Sequence, residues 1–217
     1  MTRRVAPSIL SADFARLGAD VDEVVAAGAT VIHVDVMDGH FVPPITLGPQ
    51  VLSALRAHVG PEIDLDVHLM VERPERHVDA FAAAGATGIT FHAEATPHIH
   101  YTVQAIRAAG CRAGLAVCPA TPPAVYAELD VDLALCMTVN PGWGGQPFIE
   151  TSPDKVRRIA ALLAPGTVLE VDGGIDERTA PGCAEAGATL FVAGSAVFGS
   201  KDPAGAFRAI TRAAGCG

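Results

Sequence analysis

Apolar residues along this chain fall into short, nearly continuous runs, separated by stretches whose apolar positions recur at helical spacing. Eight runs read as strands: near Val5–Ser8, Val31–Val36, Asp64–Leu69, Gly88–Phe91, Ala113–Val117, Leu133–Met137, Val168–Val171 and Leu190–Ala193. Runs this short and this apolar suit a parallel sheet that is covered on both faces. Between the runs, Phe14, Leu17, Val21, Val24 and Val25 form one stripe and predict an amphipathic helix. Pro74 predicts the first turn of another helix, with Val78 and Phe81 facing inward. Ser152-Pro153 reads as an N-cap followed by Pro at N1, then Val156, Ile159 and Leu163, with Pro165-Gly166 as the stop. A short helix is expected between Thr121 and Asp130.

A repeat in this pattern sets the architecture. Ala27-Gly28-Ala29-Thr30, Ala84-Gly85-Ala86-Thr87, Ala109-Gly110-Cys111-Arg112 and Ala186-Gly187-Ala188-Thr189 each run directly into a candidate strand. In each, the glycine suits the left-handed residue that follows a helix. The spacing fits a unit of roughly 25–30 residues, which is a βα pair. Alternating strands and helices predict an α/β fold, and eight βα units without a long interruption predict a closed (β/α)8 TIM barrel. The expected organisation is one domain over residues 1–217.

Composition narrows the functional classes. Hydrophobic residues make up 50% and aromatics only 5%, so Ala, Val, Leu and Gly do most of the packing. The net charge of −9 argues against a nucleic-acid partner, which needs a basic surface. Five cysteines, odd in number and without a CxxC, indicate neither a disulfide framework nor a zinc knuckle, and suit reduced thiols in a cytoplasmic protein. The apolar run after Arg3-Arg4 is broken by Pro7 and closed by Asp13, too short for a signal peptide. No run of about 18 apolar residues predicts a membrane span.

Candidate chemistry lies at the strand ends, where barrels place their active sites. His33, Asp35 and Met37 are two apart and share one face of a strand, as do Asp66, His68 and Met70. Ionisable pairs on a buried strand face are costly unless a metal, a partner or a substrate uses them. His33, Asp35, His68 and Asp172 could converge on one divalent cation, and mixed N/O ligation suits Zn, Fe(II), Mn or Co. The competing reading is of satisfied core histidines. Glycines mark a second unit: Gly142, Gly144 and Gly145 around Trp143, then Gly173-Gly174, then Gly194-Ser195. Glycine lets backbone N–H groups approach an anion closely, and phosphate sites in barrels recur after strands 7 and 8. Lys155 and Lys201 are the only lysines, and neither is at a strand end, which excludes a Schiff-base aldolase. Met37, two after Asp35, breaks the Asp-x-Lys-x-x-Asp set of related decarboxylases and synthases.

The stretches Pro7 to Phe14, His33 to His40, Asp66 to Met70, Thr90 to Ala95, Val139 to Gln146, Val171 to Ile175 and Val192 to Ala196 together resemble the ribulose-phosphate 3-epimerase family over nearly the whole chain. The resemblance implies a ribulose-phosphate-binding (β/α)8 barrel that interconverts D-ribulose 5-phosphate and D-xylulose 5-phosphate with one divalent metal ion. It implies a cytoplasmic homo-oligomer of the pentose phosphate pathway or Calvin cycle. Carried over residue by residue, His33, Asp35, His68 and Asp172 hold the metal, and Asp35 and Asp172 are also the acid/base pair. Ser8, His68, Asp172 and Gly173 touch the substrate, Gly142 to Gly145, Gly174, Gly194 and Ser195 receive its phosphate, and Met37, Met70 and Met137 line the site. The family usually has Asn where this chain has Pro44 and Cys118. That leaves a hexulose 6-phosphate such as D-allulose 6-phosphate as an alternative substrate. A non-catalytic sugar-phosphate-binding barrel is a third reading.

Overall fold

The computed structural model describes residues 2–216. Eight strands, β1 (Arg4–Pro7), β2 (Val31–Met37), β3 (Asp64–Met70), β4 (Gly88–His92), β5 (Arg112–Val117), β6 (Leu133–Met137), β7 (Val168–Asp172) and β8 (Leu190–Ala193), form one parallel sheet in the order β1-β8-β7-β6-β5-β4-β3-β2. A parallel bridge between Ser8 and His33 joins the two ends, so the sheet curls into a barrel. Helices α1 (Leu17–Ala26), α2 (Pro49–Val59), α3 (Val78–Ala83), α4 (Ile99–Ala108), α5 (Ser152–Ala160), α6 (Ala180–Glu185), α7 (Ser195–Phe198) and α8 (Pro203–Ala213) alternate with the strands. Only a 3₁₀ turn, Pro123–Ala127, links β5 to β6.

Each strand run expected from the sequence is a strand, with ends shifted by a residue or so. The repeated glycines behave as expected: Gly28 and Gly85 have φ of +110° and +100° directly before β2 and near β4. Three helix expectations need correction. Phe14 lies outside α1 and is 51% exposed. Asp13 ends the helical reading there, because its side chain accepts from Ala15 N and its carbonyl from Arg16 N, so the chain turns before the helix starts. Thr151, not Ser152, is the N-cap of α5, Pro153 follows in the first turn, and the helix ends at Ala160, short of Leu163. Pro74 opens a 3₁₀ turn, Pro74–Arg76, that breaks at His77 before α3, and Val78 and Phe81 are buried as predicted.

The main core lies between sheet and helices, where Ile32, Leu65, Ile89, Leu115, Val171 and Phe191 meet Val24, Leu52, Phe81, Ile106, Ile159 and Phe207. Smaller clusters fill the lumen: Ala6, Val31, Leu190 and Val192 in one, Ala116, Leu135 and Met137 in another. The lumen also holds His33, Asp66, His68 and Glu170, all buried. These polar groups stand on a single continuous register. His33 pairs with Asp66, Asp35 with His68, and Met37 with Met70, while Met137 pairs with Asp172.

Candidate active site

Strand alternation sends His33, Asp35 and Met37 to the inner face of β2, and the register sets His68 beside Asp35. The four predicted ligands gather at the mouth. One ligand atom from each of His33, Asp35, His68 and Asp172 lies within 4.8 Å of the others. Asp35 Oδ1 is 3.3 Å from His33 Nε2 and 3.0 Å from His68 Nδ1, and Asp172 Oδ2 is 3.8 Å from the same His68 Nδ1. Ser8 Oγ donates to the other Asp35 oxygen at 2.6 Å. Further down, His33 Nδ1 meets Asp66 Oδ2 at 2.8 Å, which turns Nε2 toward the cluster. Two imidazole nitrogens and two carboxylates converging from three strands fit a divalent cation of borderline hardness. The Asp66–His33 contact is of the kind by which an outer-shell carboxylate would orient such a ligand.

Electrostatics separates the two carboxylates. Burial alone would raise Asp35, but charge and hydrogen bonds from His33 and His68 overcome it and hold the carboxyl well below its usual range. Asp172 is pushed up to about 7 by burial and by the negative charge of Asp35. Burial opposes charge on His33, yet Asp35, Asp66 and Glu170 together raise it. His68 falls to about 4, through burial and the neighbouring His92 and His33 rings. Beneath them Glu170 is wholly buried beside Asp66, and burial plus that neighbour's charge push its carboxyl well up.

A cleft opens above this cluster. Its floor carries Ser8, Asp35 and Asp172, and its apolar wall is Met37, Met70 and Met137. Gly142, Trp143, Gly144 and Gly145 also line it, as do Gly173, Gly174, Gly194 and Ser195. His33 and His68 lie behind the wall with no exposed surface. At Gly174, φ is +64° and a Cβ would fall 2.9 Å from Phe148 N, so only glycine fits without a shift. Gly194 is tight as well, a Cβ there meeting Ser11 Oγ at 2.9 Å. Thr138 Oγ1 donates to Asp172 O at 2.9 Å and so pins the end of β7 next to the glycines. Asp38 does the same for β2, accepting from His40, Phe41 and Glu72 backbone N–H groups.

Neither Pro44 nor Cys118 lines this cavity. Pro44 O accepts from Gly39 N within the loop after β2, and Cys118 stands behind His92. Lys155 is on α5, where Nζ donates to Cys118 O and Pro119 O, far from any Schiff-base role. Sequence reasoning left Asp66, Glu170, His92 and Glu94 without a task. A signal was present: Asp66 and Glu170 each precede a ligand by two residues, so they share its face one step deeper in the lumen. Among the described residues no helix is long and apolar enough to cross a membrane.

Comparison with known proteins identifies the family. The sequence profile described as the ribulose-phosphate 3 epimerase family matches residues 4–198. The ribulose-phosphate 3-epimerase of Bacillus subtilis is 50% identical, covering 92% of this chain and 94% of its own. That of Rhodobacter capsulatus is 52% identical over 90% of this chain and 86% of its own. Among solved structures, 3-hexulose-6-phosphate synthase superposes with a TM-score of 0.72 at 21% identity, covering 98% of this chain and 99% of its own. KGPDC from Streptococcus mutans gives 0.73 at 17%, covering 99% and 98%. At that identity the structures speak for the (β/α)8 fold alone, whereas the profile and the 50%-identical relatives speak for the family. The chain belongs to the ribulose-phosphate 3-epimerase family and is an enzyme of the isomerase class.

Proposed function

We propose that the protein interconverts D-ribulose 5-phosphate and D-xylulose 5-phosphate by moving a proton at C3, with one divalent metal ion as cofactor. The observation that carries this is the pair Asp35 and Asp172, both lining one cavity and both gathered with His33 and His68. Inverting C3 requires removing the proton next to the C2 carbonyl from one face and returning one to the other. That takes an ionised carboxylate as base and a protonated carboxyl as acid, one on each face of the substrate. Asp35 and Asp172 come from β2 and β7, on either side of β1 and β8, so they approach the substrate from different directions. Their roles exchange in the reverse direction.

His33, His68 and both carboxylates are the residues that would hold the metal. When bound it supplies positive charge to offset the negative charge of the enediolate. Ser8 fixes one Asp35 oxygen by hydrogen bonding and so sets the direction in which the carboxylate presents its other oxygen. Met37, Met70 and Met137 give the intermediate an apolar wall without acidic protons, which limits wrong protonation. The backbone N–H groups around Gly142–Gly145, Gly174, Gly194 and Ser195 receive the phosphate without a lysine.

The pentulose phosphate is favoured over a hexulose 6-phosphate because the two departures from the family pattern, Pro44 and Cys118, lie off the cavity wall. The test is a kinetic comparison of D-ribulose 5-phosphate with D-allulose 6-phosphate. A higher kcat/KM for ribulose 5-phosphate supports the proposal, and the reverse order replaces the substrate while keeping the chemistry. A non-catalytic binding role leaves the buried His/Asp cluster without a purpose.

A further inference from the structure

The cluster does not end at His68. His68 Nε2 lies 2.9 Å from Nε2 of His92, a wholly buried ring at the end of β4. His92 Nδ1 in turn lies 3.3 Å from Glu94 Oε2. The other Glu94 oxygen accepts from Cys118 N at 2.8 Å and from Thr121 Oγ1, which anchors the carboxylate from the loop after β5. Phe41 packs on the His92 ring with centroids 4.9 Å apart. The result is a continuous line, Glu94–His92–His68–Asp35, with a carboxylate at each end and two imidazoles between.

Proton counting restricts this line. Two ring nitrogens 2.9 Å apart share one proton, so one is donor and the other acceptor. Only two arrangements of neutral rings satisfy that contact. In the first, His68 carries its proton on Nε2 and donates to His92, whose own proton is then on Nδ1 and points at Glu94. In the second, His92 donates to His68, whose proton is on Nδ1 and points at Asp35. The second arrangement sets a bare His92 Nδ1 lone pair against the Glu94 carboxylate. It also leaves His68 Nδ1, the atom nearest both Asp35 and Asp172, blocked by hydrogen. A ring nitrogen must be unprotonated to ligate a metal. Glu94 and Asp35 therefore pull the two rings in opposite senses, and only the pull of Glu94 makes His68 a ligand.

Resting on the metal reading above, we propose that Glu94 and His92 are positioning residues that keep the His68 proton on Nε2 and free Nδ1 for the cation. Glu94 is suited to this, because contacts from His92, Thr121 and the Cys118 N–H outweigh its burial and hold it ionised, down to about 2. Cys118 Sγ, 3.5 Å from His92 Nδ1, does not compete: burial and the Glu94 charge raise the thiol to about 12, so it stays neutral.

The test uses zinc, which is diamagnetic, and two readouts that do not depend on turnover. Long-range ¹H–¹⁵N spectra of histidine-labelled, zinc-loaded protein should show His92 protonated on Nδ1 and its Nε2 unprotonated. Competition titrations should show zinc affinity falling about 10- to 100-fold in Glu94→Ala, the range for losing an outer-shell partner. The same fall is expected in His92→Leu, with recovery in His92→Gln, whose amide oxygen can accept from His68 Nε2. A proton on His92 Nε2 in the loaded protein, or unchanged affinity in Glu94→Ala and His92→Leu, overturns the relay while the metal site stands. Absence of zinc binding in the unaltered protein overturns both readings.

Discussion

Asp172→Asn isolates the physical basis of the acid/base pair. The substitution keeps the side chain's shape and removes its titration. In the native chain the Asp172 carboxyl is raised from 3.8 to about 7 by burial and by the charge on Asp35, and its side chain is only 16% exposed. Between about pH 4 and about pH 7 the folded state holds a proton there that the unfolded chain has lost. Stability therefore falls as pH rises through that window, and the fall is complete above the folded value. At 1.36 kcal/mol per pKa unit the effect is up to about 4 kcal/mol. The assay is urea unfolding of chelator-treated protein at about pH 4.5 and about pH 7.5, for both forms. Titration of His33 and His68 is common to both, so the comparison between forms reports Asp172 together with its coupling to Asp35. The native protein should lose more stability than the variant across the window, by as much as about 4 kcal/mol. Turnover of metal-loaded Asp172→Asn should fall by about 10²- to 10⁴-fold, the usual worth of a positioned acid or base. Equal pH dependence in the two forms would refute the claim that burial and Asp35 raise this carboxyl. Near-normal turnover would refute its catalytic role.

Other outcomes follow from the same geometry. Asp35→Asn should lower turnover by a similar factor, and both it and Asp172→Asn should weaken metal binding, checked by steady-state rates and metal titration, because each carboxylate is proposed to serve both roles. Asp66→Ala should weaken metal binding about 10- to 100-fold in a competition titration by releasing His33 Nδ1 from its 2.8 Å contact, with folding intact by circular dichroism. Gly174→Ala should raise KM for the sugar phosphate more than it lowers kcat, since its Cβ meets Phe148 N at 2.9 Å on the phosphate side of the cavity, away from Asp35.

Much of this was legible in the sequence because strand periodicity is short and unambiguous. Once Val31 to Met37 is read as a strand, His33, Asp35 and Met37 must share a face, and the same holds for Asp66, His68 and Met70. The register that sets Asp35 beside His68 is a tertiary fact, because β3 follows Gly60-Pro61 rather than a copy of the repeat and no local spacing fixes it. Helix ends were less legible because local hydrogen bonds decide them. Asp13 captures its own turn and expels Phe14 from the stripe, and nothing in the apolar spacing records that. The deeper layer was missed for a different reason. Asp66 and Glu170 are visible as residues two before a ligand, but whether a buried carboxylate orients an imidazole depends on which ring nitrogen it reaches. The His92–His68 contact joins neighbouring strands β3 and β4 through ring nitrogens whose orientation no spacing rule specifies. Pro44 and Cys118 raised a question about substrate that only their placement off the cavity wall addresses.

The central claim is that Asp35 and Asp172 exchange the C3 proton of the substrate with solvent-derived protons. Metal-loaded protein incubated with D-ribulose 5-phosphate in deuterated water tests it, with the C3 position followed by NMR. The account predicts deuterium at C3 of both D-ribulose 5-phosphate and D-xylulose 5-phosphate, with epimerisation abolished in Asp35→Asn and in Asp172→Asn and any surviving exchange confined to the epimer whose C3 proton faces the remaining carboxylate. Epimer formation with C3 retaining its original hydrogen would contradict it, as would binding of the sugar phosphate with neither epimerisation nor exchange.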